Sequence, residues 1–172
     1  FSSDNILRIT SDSPLADPTV IDDLIINYQK ISCDYASTNL IRTYPIGLDA
    51  EIFSFSALEK TWKNAHLPSE YENVTPYIYN NRDKFQIYNV KNSIDLSHLR
   101  WVVDRAEDLE LVRQLVSKID KDPILMQDIL EVFESDPKLA EINSNVRHDE
   151  GYKKSLKKDQ EFIKRGKTSD EK

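Results

Sequence analysis

Short β-rich runs alternate with amphipathic helical stretches along most of this sequence, and that alternation limits the fold more than any other feature. Apolar helix faces need a sheet to pack on, and strands separated by helices pair side by side through crossovers. The pattern predicts an α/β layered domain with a mainly parallel sheet, whose ligands sit at the carboxyl ends of the strands.

The run Asn5-Ile6-Leu7-Arg8-Ile9-Thr10 reads as a strand stopped by the polar turn Ser11-Asp12-Ser13-Pro14. Asp17-Pro18 supplies an N-cap and an N1 proline, and Ile21, Leu24, Ile25 and Tyr28 recur at helical spacing over 18–30. Residues 35–43 read as extended. Gly47, one of only three glycines, predicts a conformation or close approach that a Cβ would forbid. Ser56 to Glu59 has capping-box spacing, with Leu58, Trp62 and Ala65 as the apolar face of a helix reaching His66. A short helix broken near Pro76 is expected over 69–81, then a strand over 85–90. Leu99-Arg100-Trp101-Val102-Val103 reads as a further strand ending at Asp104, and Leu109, Val112, Leu115, Val116 and Ile119 mark a helix capped within 104–107. Asp122-Pro123 introduces a last core helix with Leu125, Ile129, Val132 and Phe133 on one side, ended by Pro137. Asp12 and Asp104 both fall at strand ends.

Charged residues make up 31% of the chain, above the globular norm, so part of it must be solvated. That part is placed at 146–172, where lysines cluster and apolar periodicity thins, leaving 1–145 as the core domain. The tail reads as a charged extension dispensable for folding, with a docked helix seamed by Tyr152, Leu156 and Phe162 as the alternative. A formal net charge of −7 argues against a nucleic-acid partner, which would reward a basic face. The single cysteine, Cys33, reads as a small buried side chain and points to a reducing compartment. No apolar run reaches membrane-spanning length, and no export signal is seen, so a cytoplasmic location without membrane contact is expected. A sequence opening on Phe1, with a strand almost at once, reads as a piece of a longer chain.

The sharpest motif is Arg8-Ile9-Thr10-Ser11-Asp12-Ser13-Pro14-Leu15-Ala16-Asp17-Pro18. A carboxylate held in a loop at a strand end can ligate Mg²⁺, which takes one or two protein carboxylates and fills its shell with water and phosphate oxygens; alone, Asp-Ser-Pro is more often a turn than a metal ligand. This segment resembles the Arg-x-Thr-Gly-Asp-x-Pro-Leu-x-Asp-Pro signature of the spore-coat polysaccharide biosynthesis cytidylyltransferase-like family, relatives of the CMP-KDO and acylneuraminate (CMP-sialate) cytidylyltransferases. Three later stretches are similar to the same family in the same order. They are Arg42-Thr43-Tyr44-Pro45-Ile46-Gly47-Leu48-Asp49-Ala50-Glu51, Asn73-Val74-Thr75-Pro76-Tyr77-Ile78-Tyr79, and Asp95-Leu96-Ser97-His98-Leu99-Arg100-Trp101-Val102-Val103-Asp104.

The resemblance implies the C-terminal two-thirds of a Rossmann-like nucleotide-diphospho-sugar transferase fold, its N-terminal part missing. It also implies an enzyme that joins CTP to an acidic sugar with Mg²⁺, releasing pyrophosphate, for surface polysaccharide biosynthesis. Asp12 and Asp104 would hold the metal. Arg8 and Arg42 would contact anionic groups, Ser13, Pro45 and Asp49 would line the substrate pocket, and His98 would orient a ligand; no general base is assigned. CTP and an acidic sugar are the expected partners, a homodimer is compatible with the family, and the piece alone is expected to be inactive. This sequence departs from the family at Ser11, where glycine is usual, at Asn73, where histidine is common, and at Arg105-Ala106, where Thr-Pro is customary. Two other readings fit the same residues: a non-catalytic assembly module with a degenerate transferase domain, and a glycosyltransferase of related fold.

Overall fold

The computed structural model describes residues 3–146 and 150–169. Its sheet has four strands, β1 (Asn5–Ile9), β2 (Tyr35–Ser37), β3 (Ala50–Ser54) and β4 (Ile87–Asn89), in the order β1-β3-β2-β4. β3 runs antiparallel to both β1 and β2, and β2 pairs with β4 in parallel. The expectation of a mainly parallel sheet is therefore corrected to a mixed one. The physical reason is the link from β2 to β3, which contains no helix and turns the chain straight back, whereas parallel pairing needs a crossover. β3 itself is missing from the sequence reading, because its Glu51 interrupts the apolar run.

The helices are α1 (Pro18–Ile31), α2 (Phe55–Asn64), α3 (Pro68–Asn73), α4 (Pro76–Asn80), α5 (Ala106–Lys118), α6 (Met126–Ser135) and α7 (Glu150–Ser169), with a 3₁₀ turn over Pro137–Glu141. As expected, Asp17 caps α1, accepting from the Thr19 N–H at 2.7 Å. Its other oxygen accepts from the Met126 N–H at 2.6 Å, tying the start of α1 to the start of α6. Two helix starts differ from expectation. Ser54, not Ser56, caps α2, and the buried face carries Ala57 and Thr61 while Trp62 is exposed. Asp108 closes the start of α5 by accepting from the N–H groups of Asp104 and Arg105, the work expected of 104–107.

Alternation along the strands divides the core in two. Ala36 and Ile52 point into the larger cluster, with Leu24, Trp101, Leu111, Leu115 and Ile129. Tyr35 and Phe53, which are register partners with stacked rings, point to the other face with Ala57, Tyr77, Ile78 and Phe85. Cys33 is buried in the first cluster.

The segment 99–103 is extended but joins no strand of the sheet; it makes one parallel bridge, between Ile46 and Arg100. It works as a stitch between loops. The Trp101 N–H donates to Ile46 O at 2.8 Å, and the Val103 N–H donates to Asp12 O at 2.8 Å. Gly47 makes this approach possible: its φ is +110°, and a Cβ there would lie 2.7 Å from the Val102 nitrogen. Likewise, 35–43 is a strand only as far as Ser37.

Over the described part of the tail the docked-helix alternative is the one found. The described part of 146–172 includes α7, which packs on α3. Asp159 and Ser155 are buried in that contact, and Asp159 accepts from the Ser69 N–H at 2.9 Å. A charged helix is held here by polar anchors instead of a broad apolar seam, which apolar periodicity does not register. Residues 147–149 and 170–172 lie outside the described residues.

Candidate functional site

An open cleft of about 970 Å³ lies on the sheet face that carries Tyr35 and Phe53. Its floor is built where β1, β3 and β2 lie side by side: Arg8 is paired in register with Glu51, and Glu51 with Ser37. Glu51 is buried, and its carboxylate is satisfied from three directions. The Arg8 guanidinium forms an ion pair with it, the Tyr35 hydroxyl donates at 2.5 Å, and the Thr75 hydroxyl donates at 2.8 Å. A buried carboxylate persists only when so partnered, and here one side chain ties two strands and the start of α4 together. Burial, and then the Glu51 charge, push the Tyr35 phenol far above its ordinary range, so it acts as a permanent donor.

Arg42 and Asp49 stand on one wall as a two-pronged ion pair, with the second contact at 3.0 Å. The structure thus brings Arg8, Arg42 and Asp49 to one cleft, but both arginines are already neutralised by protein carboxylates. Arg82 also lines the cleft and, among the described residues, has no hydrogen-bond or ion-pair partner. Asp83, next to it, lines the cleft too. Neither Glu51 nor Arg82 stood among the expected site residues. Glu51 could have been found as a charge inside an apolar run, whereas Arg82 carries no local signal.

The other expected residues lie elsewhere. Pro45 is fully buried, and Ser13 is buried in the turn after β1, its hydroxyl 3.3 Å from that of Thr10. His98 is exposed and lines a separate hollow of about 220 Å³ beside Asn143. Asp12 and Asp104 are outside the lining of the large cleft. The Val103–Asp12 backbone bond sets their two segments side by side. The Asp104 carboxylate is half exposed, with one oxygen held at 2.6 Å by Arg100. Asp12 is half-buried, and among the described residues its one side-chain hydrogen bond is a long one, 3.5 Å, from the Ser13 hydroxyl. The two carboxylates therefore retain free oxygens on adjacent segments, a donor set that suits Mg²⁺ with water and phosphate completing its shell. Among the described residues no three His, Cys, Asp or Glu side chains gather into a metal cage.

Behind Asp104 lies a fully buried polar cluster. Arg100 donates from Nε and from one terminal nitrogen to Asp108, each at 2.8 Å, and Asn143 donates to Asp108 at 2.8 Å. Burial raises the Asp108 carboxyl, but Arg100, Asn143 and the backbone N–H groups more than offset it, holding it at about 2.

The cytidylyltransferase family model matches residues 1–152. This chain belongs to the cytidylyltransferase family. It is 37% identical over 150 residues to an uncharacterized protein of Methanocaldococcus jannaschii, covering 86% of this chain and 60% of that one. It is 25% identical over 139 residues to the spore coat polysaccharide biosynthesis protein SpsF of Bacillus subtilis, covering 78% and 57%. A solved cytidylyltransferase from Leptospira borgpetersenii superposes with a TM-score of 0.77 at 31% identity, over 84% of this chain and 61% of that one. The chain thus spans about 60% of the length of the relatives it matches. The fold is accordingly the α/β, Rossmann-like nucleotidyltransferase fold of a cytidylyltransferase. Among the described residues no helix is long and apolar enough to cross a membrane.

Proposed function

We propose that the complete protein activates an acidic sugar with CTP in the cytoplasm, forming a CMP-sugar and pyrophosphate for surface polysaccharide. The observation that carries this reading is the polar cleft of a cytidylyltransferase-family chain in which Arg82 presents an unneutralised guanidinium. A guanidinium with free donors suits a sugar carboxylate. The likeness to a spore coat polysaccharide biosynthesis protein supports the pathway.

In this reading a sugar hydroxyl attacks the α-phosphorus of CTP, and the bond from that phosphorus to the pyrophosphate oxygen breaks. Arg82 would bind the sugar acid, while the Arg8–Glu51 and Arg42–Asp49 pairs shape and orient the acceptor side through the donors they keep free. Asp12 and Asp104 would hold Mg²⁺, which when bound supplies charge neutralisation for the phosphates.

The test is pyrophosphate release from CTP by the complete protein, with 3-deoxy-D-manno-octulosonic acid and N-acetylneuraminic acid as acceptors. Release that depends on the acid and stops with EDTA is expected. Asp12→Asn and Asp104→Asn should each lower kcat by about 10²-fold, since a lost metal ligand removes several kcal/mol of transition-state stabilisation. No release with either acid would defeat the acidic-sugar reading, and full activity in both variants would defeat the metal assignment.

A further inference from the structure

We propose that helix α7 is a wall of this cleft and that Tyr152, in its first turn, touches the acceptor bound there, so that α7 sets acceptor specificity. The inference rests on the reading of the cleft as the acceptor site. Tyr152 lines the cleft beside Tyr79. The Tyr79 phenol is pushed up by its burial and then by the neighbouring Tyr152 hydroxyl, which fits two phenols closing on each other across one wall.

What holds α7 in place is specific. Buried Asp159 accepts from the Ser69 N–H in the first turn of α3, at 2.9 Å. Buried Ser155 donates to Glu72 at 3.2 Å, and Lys158 reaches the same carboxylate at 2.9 Å. The Asn73 amide, itself part of the cleft lining, donates to Ser69 O at 3.0 Å and lies 3.4 Å from the Ser155 hydroxyl. One polar chain therefore runs from the α7 anchor to the cleft surface. The family match ends at residue 152, so nearly all of α7 lies beyond what the family model covers. Tyr152 is the last matched residue, and the anchors that hold it in place, Ser155, Lys158 and Asp159, lie beyond the match.

The experiment compares Tyr152→Ala, Asp159→Ala and the exposed α7 control Phe162→Ala in the complete protein, with the two acidic sugars above as acceptors. Tyr152→Ala and Asp159→Ala should raise the acceptor KM at least tenfold, with the CTP KM and kcat within twofold, and Phe162→Ala should match wild type. An unchanged acceptor KM in Tyr152→Ala overturns the proposal. Amide exchange gives an arm independent of turnover: residues 151–165 should be protected in wild type and exchange at least tenfold faster in Asp159→Ala. Fast exchange in wild type overturns the proposal whatever the activity. If wild type transfers to sugar phosphates instead of acidic sugars, the acidic-sugar reading fails while the same KM comparison on that acceptor decides this inference. No turnover with either class overturns both.

Discussion

Two regions of this molecule are built from the same residue types and do different work. The cleft carries Arg8 with Glu51 and Arg42 with Asp49; the cluster behind Asp104 carries Arg100 with Asp108. In the cluster both partners are sealed, with side-chain exposures of 4% and 0%, and a third residue, Asn143, completes the set. In the cleft Arg8 keeps 31% and Arg42 27% of its side chain open to solvent. An arginine–aspartate pair therefore identifies neither a site nor a brace by its composition. Exposure beside an open volume marks the first, and complete internal satisfaction marks the second.

Breaking the cluster should produce the largest effect on stability. Asp108→Ala takes from the buried Arg100 guanidinium its sealed, two-pronged partner and leaves it only the half-exposed Asp104 carboxylate, a change that costs about 3 kcal/mol or more. For a domain of this size that is a fall in melting temperature on the order of 10 °C, read by thermal denaturation. A shift of only 1–2 °C would mean that the cluster is hydrated and not the brace described here.

Glu51→Ala sharpens the comparison, because Glu51 belongs to the cleft by position and to the brace by burial. Removing it orphans the Tyr35 hydroxyl and unpairs Arg8, so a loss of about 2–3 kcal/mol in urea unfolding is expected, together with weaker acceptor binding. Stability equal to wild type would assign Glu51 wholly to the site.

Acid titration separates the regions without relying on a lost side chain. The Asp108 carboxyl is depressed from its ordinary 3.8 to about 2, so the folded state binds its proton less readily than the unfolded chain does. That stability is complete above about pH 4 and is lost as pH falls toward 2, amounting to roughly 2 kcal/mol. The stability–pH slope in that window should flatten in Asp108→Asn. An unaltered slope would place the acid-sensitive carboxylate elsewhere.

The smallest expected change in stability is in the open pair. Arg42→Ala should cost less than about 1 kcal/mol, since a part-exposed ion pair is screened by solvent. A loss above about 2 kcal/mol would move Arg42–Asp49 from the site to the frame.

Much of this arrangement was legible in the sequence. The Asp17 cap, the proline break between α3 and α4, and the close approach at Gly47 follow from residues with few alternatives. The strand-end position of Asp12 was legible for the same reason. β3 was not, because alternation fails when a strand interior carries a charge whose partners, Tyr35 and Thr75, are 16 and 24 residues away. The docking of α7 stood only as an alternative with an apolar seam, because its anchor is Asp159 meeting a backbone N–H 90 residues distant. The neutralisation of Arg8 and Arg42 was hidden too. Sequence reveals an arginine but not which carboxylate reaches it first, and this is why Arg82 emerged only from the assembled cleft.

The most direct test of the whole account is Arg82→Ala in the complete protein, measured for both melting temperature and acceptor KM. The account predicts a melting temperature within about 2 °C of wild type, as for a surface substitution. It also predicts an acidic-sugar KM raised at least about tenfold, the loss of one charge-assisted hydrogen bond. An unchanged KM at full stability would contradict it, because the cleft arginine that has no carboxylate partner among the described residues would then play no part in binding.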